Sequence, residues 1–437
     1  VSPPVVVELH EWEVRGPRGK PGDPLGGRGL ESAADRALCE RLAQERRLIV
    51  RELAHGLEIE ATSHVGRIDL GPLRITITPK LGEDRLLRLL RYAYGLRDLH
   101  LVGEARFGQD GALLEELVAK QLHAEARELW SRGLDRRYVA VAEELGSPRG
   151  RIDMNAVARR IGPPRPTLPC GHHVRREDSA LNRALLAGLR LGARVAEDRG
   201  LAALLTRLAD TLAVDVREVP PSASLLSRAR ASLDRLSAAY EPALSLVRLL
   251  FEGAAPALDD AEEPAIALPG FLFDMNRFFQ ALLDRFLKEN LPKCEVRSEQ
   301  RLSEMMRYAP GENPRGRRPP RPRPDFMVIG PDGSRAILDA KYRDLWQHEL
   351  PRDMLYQLAI YALSGADGGT ATILYPTAAK GARRARIEIR EPLRGGTRAS
   401  VLLQPVDLEE LDAAIGAGDT KAGRQARREM ARRVALG

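Results

Sequence analysis

Two short apolar runs constrain this 437-residue chain most. They are Phe326-Met-Val-Ile329, led in by Arg321-Pro-Arg-Pro-Asp325, and Ala336-Ile-Leu-Asp339-Ala-Lys341-Tyr342, with Pro331-Asp-Gly333 as a turn between them. A hairpin of two buried strands should not carry Asp or Lys inside its apolar runs, so the conflict marks a site rather than plain architecture. Asp339 and Lys341 are two apart and project from one face of a strand, while Leu338 and Ala340 face the other way. Asp325 reaches the same spot if the strands pair. Two carboxylates and an ammonium converging on one point suit a hard divalent ion and an activated water.

Charged residues make up 30% of the chain and hydrophobic residues 43%, the balance of a globular protein with real cores, and the length allows two to three domains. A net charge of +7 permits a polyanionic partner but is too diffuse to identify one. No run of about 18 apolar residues exists, and the start lacks a charged segment followed by a long apolar core. These features predict a cytoplasmic protein without a membrane partner. Cys39, Cys170 and Cys294 are isolated and odd in number, which argues against a disulfide framework and against a four-cysteine iron-sulfur cluster. Cys170-Gly-His172-His173 has no second ligand pair at finger spacing and reads as a loop.

Residues 1–80 read mostly as strands, with Leu73, Ile75 and Ile77 in clear alternation and one helix over 31–55. Residues 14–29 form a Gly/Pro-rich loop; its Gly16–Lys20 run lacks the Ser or Thr that a phosphate loop needs after the lysine. Helical spacing recurs over 83–94, 112–132, 179–209 and 224–253, and residues 138–144 look like a strand. A Pro-rich patch at 162–169 and an acidic, Pro-containing stretch at 254–269 read as a boundary and a linker. Beyond it the pattern becomes α/β: helix 273–289, strand 295–301, the two site strands, helix 352–363, strands 370–375 and 385–390, and a helical tail over 408–436 with Arg424, Arg428 and Arg432 on one face.

Asp325, thirteen intervening residues, then Asp339-Ala340-Lys341 matches the PD-(D/E)XK nuclease pattern. The pattern is degenerate alone, but the strand, turn, strand, helix order fits it, and the next helix sets Gln357 and Tyr361 on one face. At this point the chain resembles the McrC family, nuclease subunits of McrBC-type modification-dependent restriction systems. The residues that carry the resemblance are Gly66-Arg-Ile-Asp-Leu70 with Ile75-Thr-Ile-Thr-Pro-Lys80, residues 86–94, Arg149-Gly-Arg-Ile-Asp153, Cys170, Asn182-Arg183, Asp274-Met-Asn-Arg-Phe-Phe-Gln280, Arg323-Pro-Asp325, Leu338-Asp-Ala-Lys-Tyr342 and Asp353-Met-Leu-Tyr-Gln-Leu-Ala-Ile-Tyr361.

The resemblance implies an α+β multidomain chain: a β-rich NTPase-docking domain over 1–165, a helical middle and linker over 166–265, a nuclease domain with a mixed central sheet over 266–405, and a basic helical tail over 406–437. It implies Mg²⁺, with Mn²⁺ able to substitute, held by Asp325, Asp339 and the Ala340 carbonyl, with Lys341 polarising the attacking water and Gln357 orienting the site. Gln280 stands where the family often has glutamate; Asp274 and Asp284 do not clearly replace it. Arg315, Arg317, Arg318, Arg321 and Arg323 precede Asp325 and suit backbone phosphates of double-stranded DNA as well as they suit a polar loop. No Walker A motif is present, and the resemblance implies a separate McrB-like AAA+ NTPase ring as partner, with recognition of modified bases residing there. Two other readings stay open: a non-cleaving adaptor that regulates the NTPase, and a stand-alone RecB-like exonuclease.

Overall fold

The chain starts in strands, as the alternation predicts, but local spacing misjudges several borders. The computed structural model describes residues 4–20, 22–96, 114–160, 162–163, 165–254, 270–364 and 369–437. β1 (Val5–His10) and β2 (Val14–Arg15) lead to α1 (Ala33–Gln44), whose Asp35 N–H donates to the Ser32 hydroxyl. The helix expected over 31–55 stops there. Arg46, at φ +56, turns the chain into β3 (Leu48–Leu53), which pairs with β4 (Gly56–Ala61), so ladder pairing overrides helical spacing. The loop expected over 14–29 is tied down as well: β2 pairs with β4, and Gly26 bridges to Gly56. β5 (His64–Leu70), β6 (Leu73–Thr78) and α2 (Glu83–Tyr94) follow, the helix closing on left-handed Gly95.

Next come α3 (Leu114–Arg132), β7 (Arg137–Leu145), β8 (Arg151–Ile152), α4 (Met154–Ala158) and β9 (Leu168–Arg176). Cys170-Gly-His172-His173 therefore lies on a strand and not in a loop: β9 pairs with β7 along nine residues and with β8 on its other edge. The single helix expected over 179–209 is two, α5 (Ala180–Val195) and α6 (Arg199–Ala213), because Asp198 caps a new start by accepting from Gly200 and Leu201. Residues 224–253 likewise split into α7 (Ala223–Ala231) and α8 (Glu241–Ala254). The expected linker falls, apart from Ala254, outside the described residues.

After β10 (Gly270–Asp274) the α/β part runs α9 (Met275–Asn290), β11 (Glu295–Ser298), β12 (Phe326–Ile329), β13 (Arg335–Ala340), α10 (Arg352–Leu363), β14 (Thr370–Thr377), β15 (Ala385–Arg390), β16 (Thr397–Asp407), α11 (Leu408–Gly416) and α12 (Lys421–Leu436). β16 has no counterpart in the sequence reading.

Two compact units emerge, each discontinuous in sequence. One comprises residues 1–7, 66–76 and 99–273. Its helices α3, α5, α6, α7 and α8 bury a leucine-rich core, and α5 meets α8 at Gly188, where a Cβ would stand 2.2 Å from a Val247 methyl. Asn182, fully buried, donates to the carbonyls of Asp135 and Glu177 and accepts from the Tyr240 hydroxyl at 2.6 Å, which accounts for an amide inside an apolar helix face.

The other unit comprises residues 8–65, 77–98 and 274–437. Its centre is a six-stranded mixed sheet in the order β11-β12-β13-β14-β16-β15, parallel from β13 through β14 to β16 and antiparallel at both edges. β14 is buried along almost its whole length, as a central parallel strand should be. Leu358, Tyr361 and Ala362 of α10 pack on Ile373, Tyr375, Ala399 and Val401, and this seals the face on which Asp339 lies. Leu338 and Ala340, pointing the other way, are buried too.

Candidate active site

Strand register assembles the site. β12 and β13 pair antiparallel with Phe326 opposite Leu338, so Asp325 stands one step beyond, across from Asp339. Its carboxylate accepts from the Ala340 N–H at 2.7 Å, taking the place of a main-chain acceptor at the end of the ladder. Lys341 Nζ lies 2.6 Å from Asp339 Oδ2, confirming that the two share a face, and the Lys341 N–H continues the sheet onto the Leu374 carbonyl. α10 brings Gln357, whose Nε2 donates to Asp339 Oδ1 at 3.4 Å and to the Tyr361 hydroxyl at 3.3 Å. Tyr361 is buried in the core beneath and acts as a support for that amide.

Gln280 of α9 belongs to this group: its Nε2 donates to Asp325 Oδ1 at 3.1 Å. Neither nearby acid takes its place. Asp274 caps α9 by accepting from the N–H groups of Asn276 and Arg277, and Asp284 is engaged by Lys288 and Ser298.

Burial governs the electrostatics. Asp339 is 2% exposed, and the Asp325 carboxyl is pushed up to about 6, first by burial and then by the Asp339 charge, with Lys341 and the Ala340 N–H pulling the other way. Burial alone would lower the Lys341 ammonium, but the two carboxylates outweigh it and raise it. Two carboxylates facing one ammonium leave a deficit of positive charge. The oxygens of Asp325 and Asp339, with the Ala340 carbonyl, suit a hard divalent cation, while the Gln280 and Gln357 amides present Nε2 to the carboxylates and orient them. It is a sparse donor set: among the described residues, no group of three or more His, Cys, Asp or Glu stands at metal-binding spacing.

Sequence reasoning missed two neighbours. Glu299, held at φ +50 just after β11, donates its N–H to the Asp325 carbonyl, and its charge adds to the upward push on Asp325. Nothing in Ser298-Glu-Gln-Arg301 signals this. Asn276, within the quoted Asp274–Gln280 run, accepts from the Tyr342 N–H at 2.9 Å, so that motif could have revealed it. Arg315, Arg317, Arg318, Arg321 and Arg323 are all exposed on the segment leading into Asp325; Arg323 also lies 3.4 Å from Glu299. His172, by contrast, faces Glu143 at 3.2 Å on the β7–β9 ladder. Among the described residues no helix is long and apolar enough to cross a membrane.

A half-complex refined from a tetradecameric assembly of Thermococcus gammatolerans McrB AAA+ hexamers with bound McrC aligns over 98% of this chain and 99% of that one, at TM-score 0.58 and 19% identity. A second structure, the McrBC complex of the same organism, aligns over 66% of this chain and 88% of that one, at TM-score 0.45 and 21% identity. No curated protein sequence matches the chain. The family of the McrBC 5-methylcytosine restriction system component matches residues 59–376, most of the chain and the whole of the candidate site. The chain belongs to that family, and its fold is that of McrC.

Proposed function

We propose that this chain is the DNA endonuclease subunit of a McrBC-like restriction system, hydrolysing phosphodiester bonds when assembled with an AAA+ NTPase. The observation that carries the reading is the convergence of Asp325, Asp339 and Lys341, from two paired strands, onto one buried point. Mg²⁺, for which Mn²⁺ can substitute, would be held by Asp325, Asp339 and the Ala340 carbonyl, and would supply positive charge to the scissile phosphate and acidify the attacking water. Lys341, fixed by Asp339, adds a preorganised field where phosphate charge develops. Gln357 holds Asp339 in orientation, and Gln280 holds Asp325. The exposed arginines before Asp325 suit backbone phosphates of double-stranded DNA and carry no base reading.

The partner reading rests on the family and on one surface. β7, paired with β9 over nine residues, is exposed at most of its own positions, with Tyr138 72% exposed, and such a strand suits a covering protein partner. Recognition of the modified base would lie in the NTPase.

The test is cleavage of methylated DNA by the chain reconstituted with a McrB-like AAA+ NTPase. Asp339→Ala should lower cleavage by at least about 100-fold while stimulated NTPase turnover persists. Unchanged cleavage would remove the nuclease assignment, and a wild-type complex that stimulates hydrolysis without cutting would favour the adaptor reading that Gln280 suggests.

A further inference from the structure

The residue after the candidate catalytic lysine is held at every polar group it has. Tyr342 N–H donates to Asn276 Oδ1 at 2.9 Å, its carbonyl accepts from Trp12 Nε1 at 3.1 Å, and its hydroxyl donates to Glu11 Oε1 at 3.3 Å. Its ring is 4% exposed and meets Phe279 edge-on at 6.0 Å. Asn276 is itself fixed, donating to Ser63 Oγ at 2.6 Å, and the next peptide supplies Arg343, whose guanidinium lies 5.4 Å over the Trp12 ring. Two of these grips come from residues 330 and 331 positions away in sequence.

The grip is built to hold. Glu11 is 2% exposed and also accepts from the Lys80 N–H, and Trp12 sits at φ +63, a strained position for a residue with a large side chain. On the other side of Lys341, the Ala340 N–H is held by Asp325. The Lys341 N–H is held by the Leu374 carbonyl and its own carbonyl accepts from the Arg343 N–H, so its Cα sits between two pinned peptides, and a four-carbon side chain keeps its ammonium in place only if its Cα is fixed.

We infer that Glu11 and Trp12 are positioning residues for Lys341, acting through Tyr342, so that the N-terminal segment sets the geometry of the candidate nuclease centre. The inference rests on the nuclease reading for its catalytic consequence, but the clamp itself can be measured without it.

The experiment uses the full chain and its NTPase complex. Trp12→Phe keeps the ring and removes the donor to the Tyr342 carbonyl; Tyr342→Phe removes the donor to Glu11. Amide hydrogen exchange at Lys341–Arg343 should rise about three- to tenfold in either variant, with amides of β14 unchanged. Cleavage turnover should fall by about the same factor, with KM for DNA and stimulated NTPase turnover unchanged. Wild-type exchange at those amides in both variants overturns the clamp. Faster exchange with undiminished turnover, while Asp339→Ala abolishes cleavage, overturns the positioning role alone. If Asp339→Ala still cuts, the nuclease reading falls, and the exchange result still judges the clamp. A loss shared by KM, or by the β14 amides, would mark general disruption and also count against it.

Discussion

Two buried acidic centres, one in each compact unit, solve the same problem differently. Asp339, 2% exposed, has Lys341 at 2.6 Å and Gln357 at 3.4 Å. Glu115, fully buried in the first turn of α3, has Arg67 only at 3.8 Å, and among the described residues neither of its oxygens accepts a hydrogen bond from another residue. Burial pushes Glu115 up to about 7, Arg67 only partly opposing it. Charge retained by short, directed partners is a working arrangement; charge buried without them is shed by protonation. The contrast separates the candidate centre from a buried acid that burial alone accounts for, although Asp325, beside Asp339, is raised above the usual carboxyl range as Glu115 is.

The largest effect should come from removing the ammonium. Lys341→Met keeps the stem and deletes the charge that faces Asp325 and Asp339. Turnover of DNA by the reconstituted complex should drop by about 100-fold or more, since a fixed charge beside developing phosphate charge contributes several kcal/mol. The metal-free variant should also raise the Asp325 carboxyl further above 6, making the site resemble Glu115. Full turnover in single-turnover cleavage would show that the short ion pair is structural only.

How much of this contrast was legible in the sequence depended on how local its causes are. β13, α10 and the Asp325–Asp339–Lys341 convergence follow from alternation, a Pro-Asp-Gly turn and spacing within forty residues, and the structure places them as read. β16 was not legible. Thr397-Arg-Ala-Ser opens it with polar residues and Pro405 interrupts it; the proline is tolerated because β15 pairs no further along β16 than Leu403, leaving that edge free of a ladder bond to lose. The break between α5 and α6 hangs on one capping aspartate, Asp198, which apolar spacing does not register. The hold of Glu11 and Trp12 on Tyr342, and the 3.8 Å approach of Arg67 to Glu115, join residues far apart in sequence, where no periodicity can point.

The second effect is on stability. Glu115 in the folded chain keeps its proton up to about pH 7, whereas in the unfolded chain it loses it in the ordinary carboxylate range. The folded state binds more protons between those values, so stability falls as pH rises from about 4.5 to 7 and is flat above. Glu115→Gln removes the ionisation and should be more stable than wild type at pH 8 by about 1–3 kcal/mol, with little difference at pH 4.5. Urea unfolding at the two pH values reads this directly. Equal pH dependence in both proteins would mean that Arg67 satisfies Glu115 as fully as Lys341 satisfies Asp339, and the contrast would disappear.

The smallest effect sharpens the comparison most, because it adds an acid to the centre that has partners. Gln280→Glu puts a third carboxyl beside Asp325, where the amide now donates at 3.1 Å. Without a divalent ion the new carboxylate meets like charge and loses that hydrogen bond, so the variant should be less stable by about 1 kcal/mol. With Mg²⁺ the order should reverse: one more hard oxygen tightens binding, and a tenfold gain in affinity adds about 1.4 kcal/mol of stabilisation at saturating ion. Thermal melts of wild type and variant across a Mg²⁺ titration measure the crossing. If the variant's deficit persists at every Mg²⁺ concentration, the third acid has behaved as Glu115 does, by taking up a proton, and the two-carboxylate centre has no cation for a further ligand to hold.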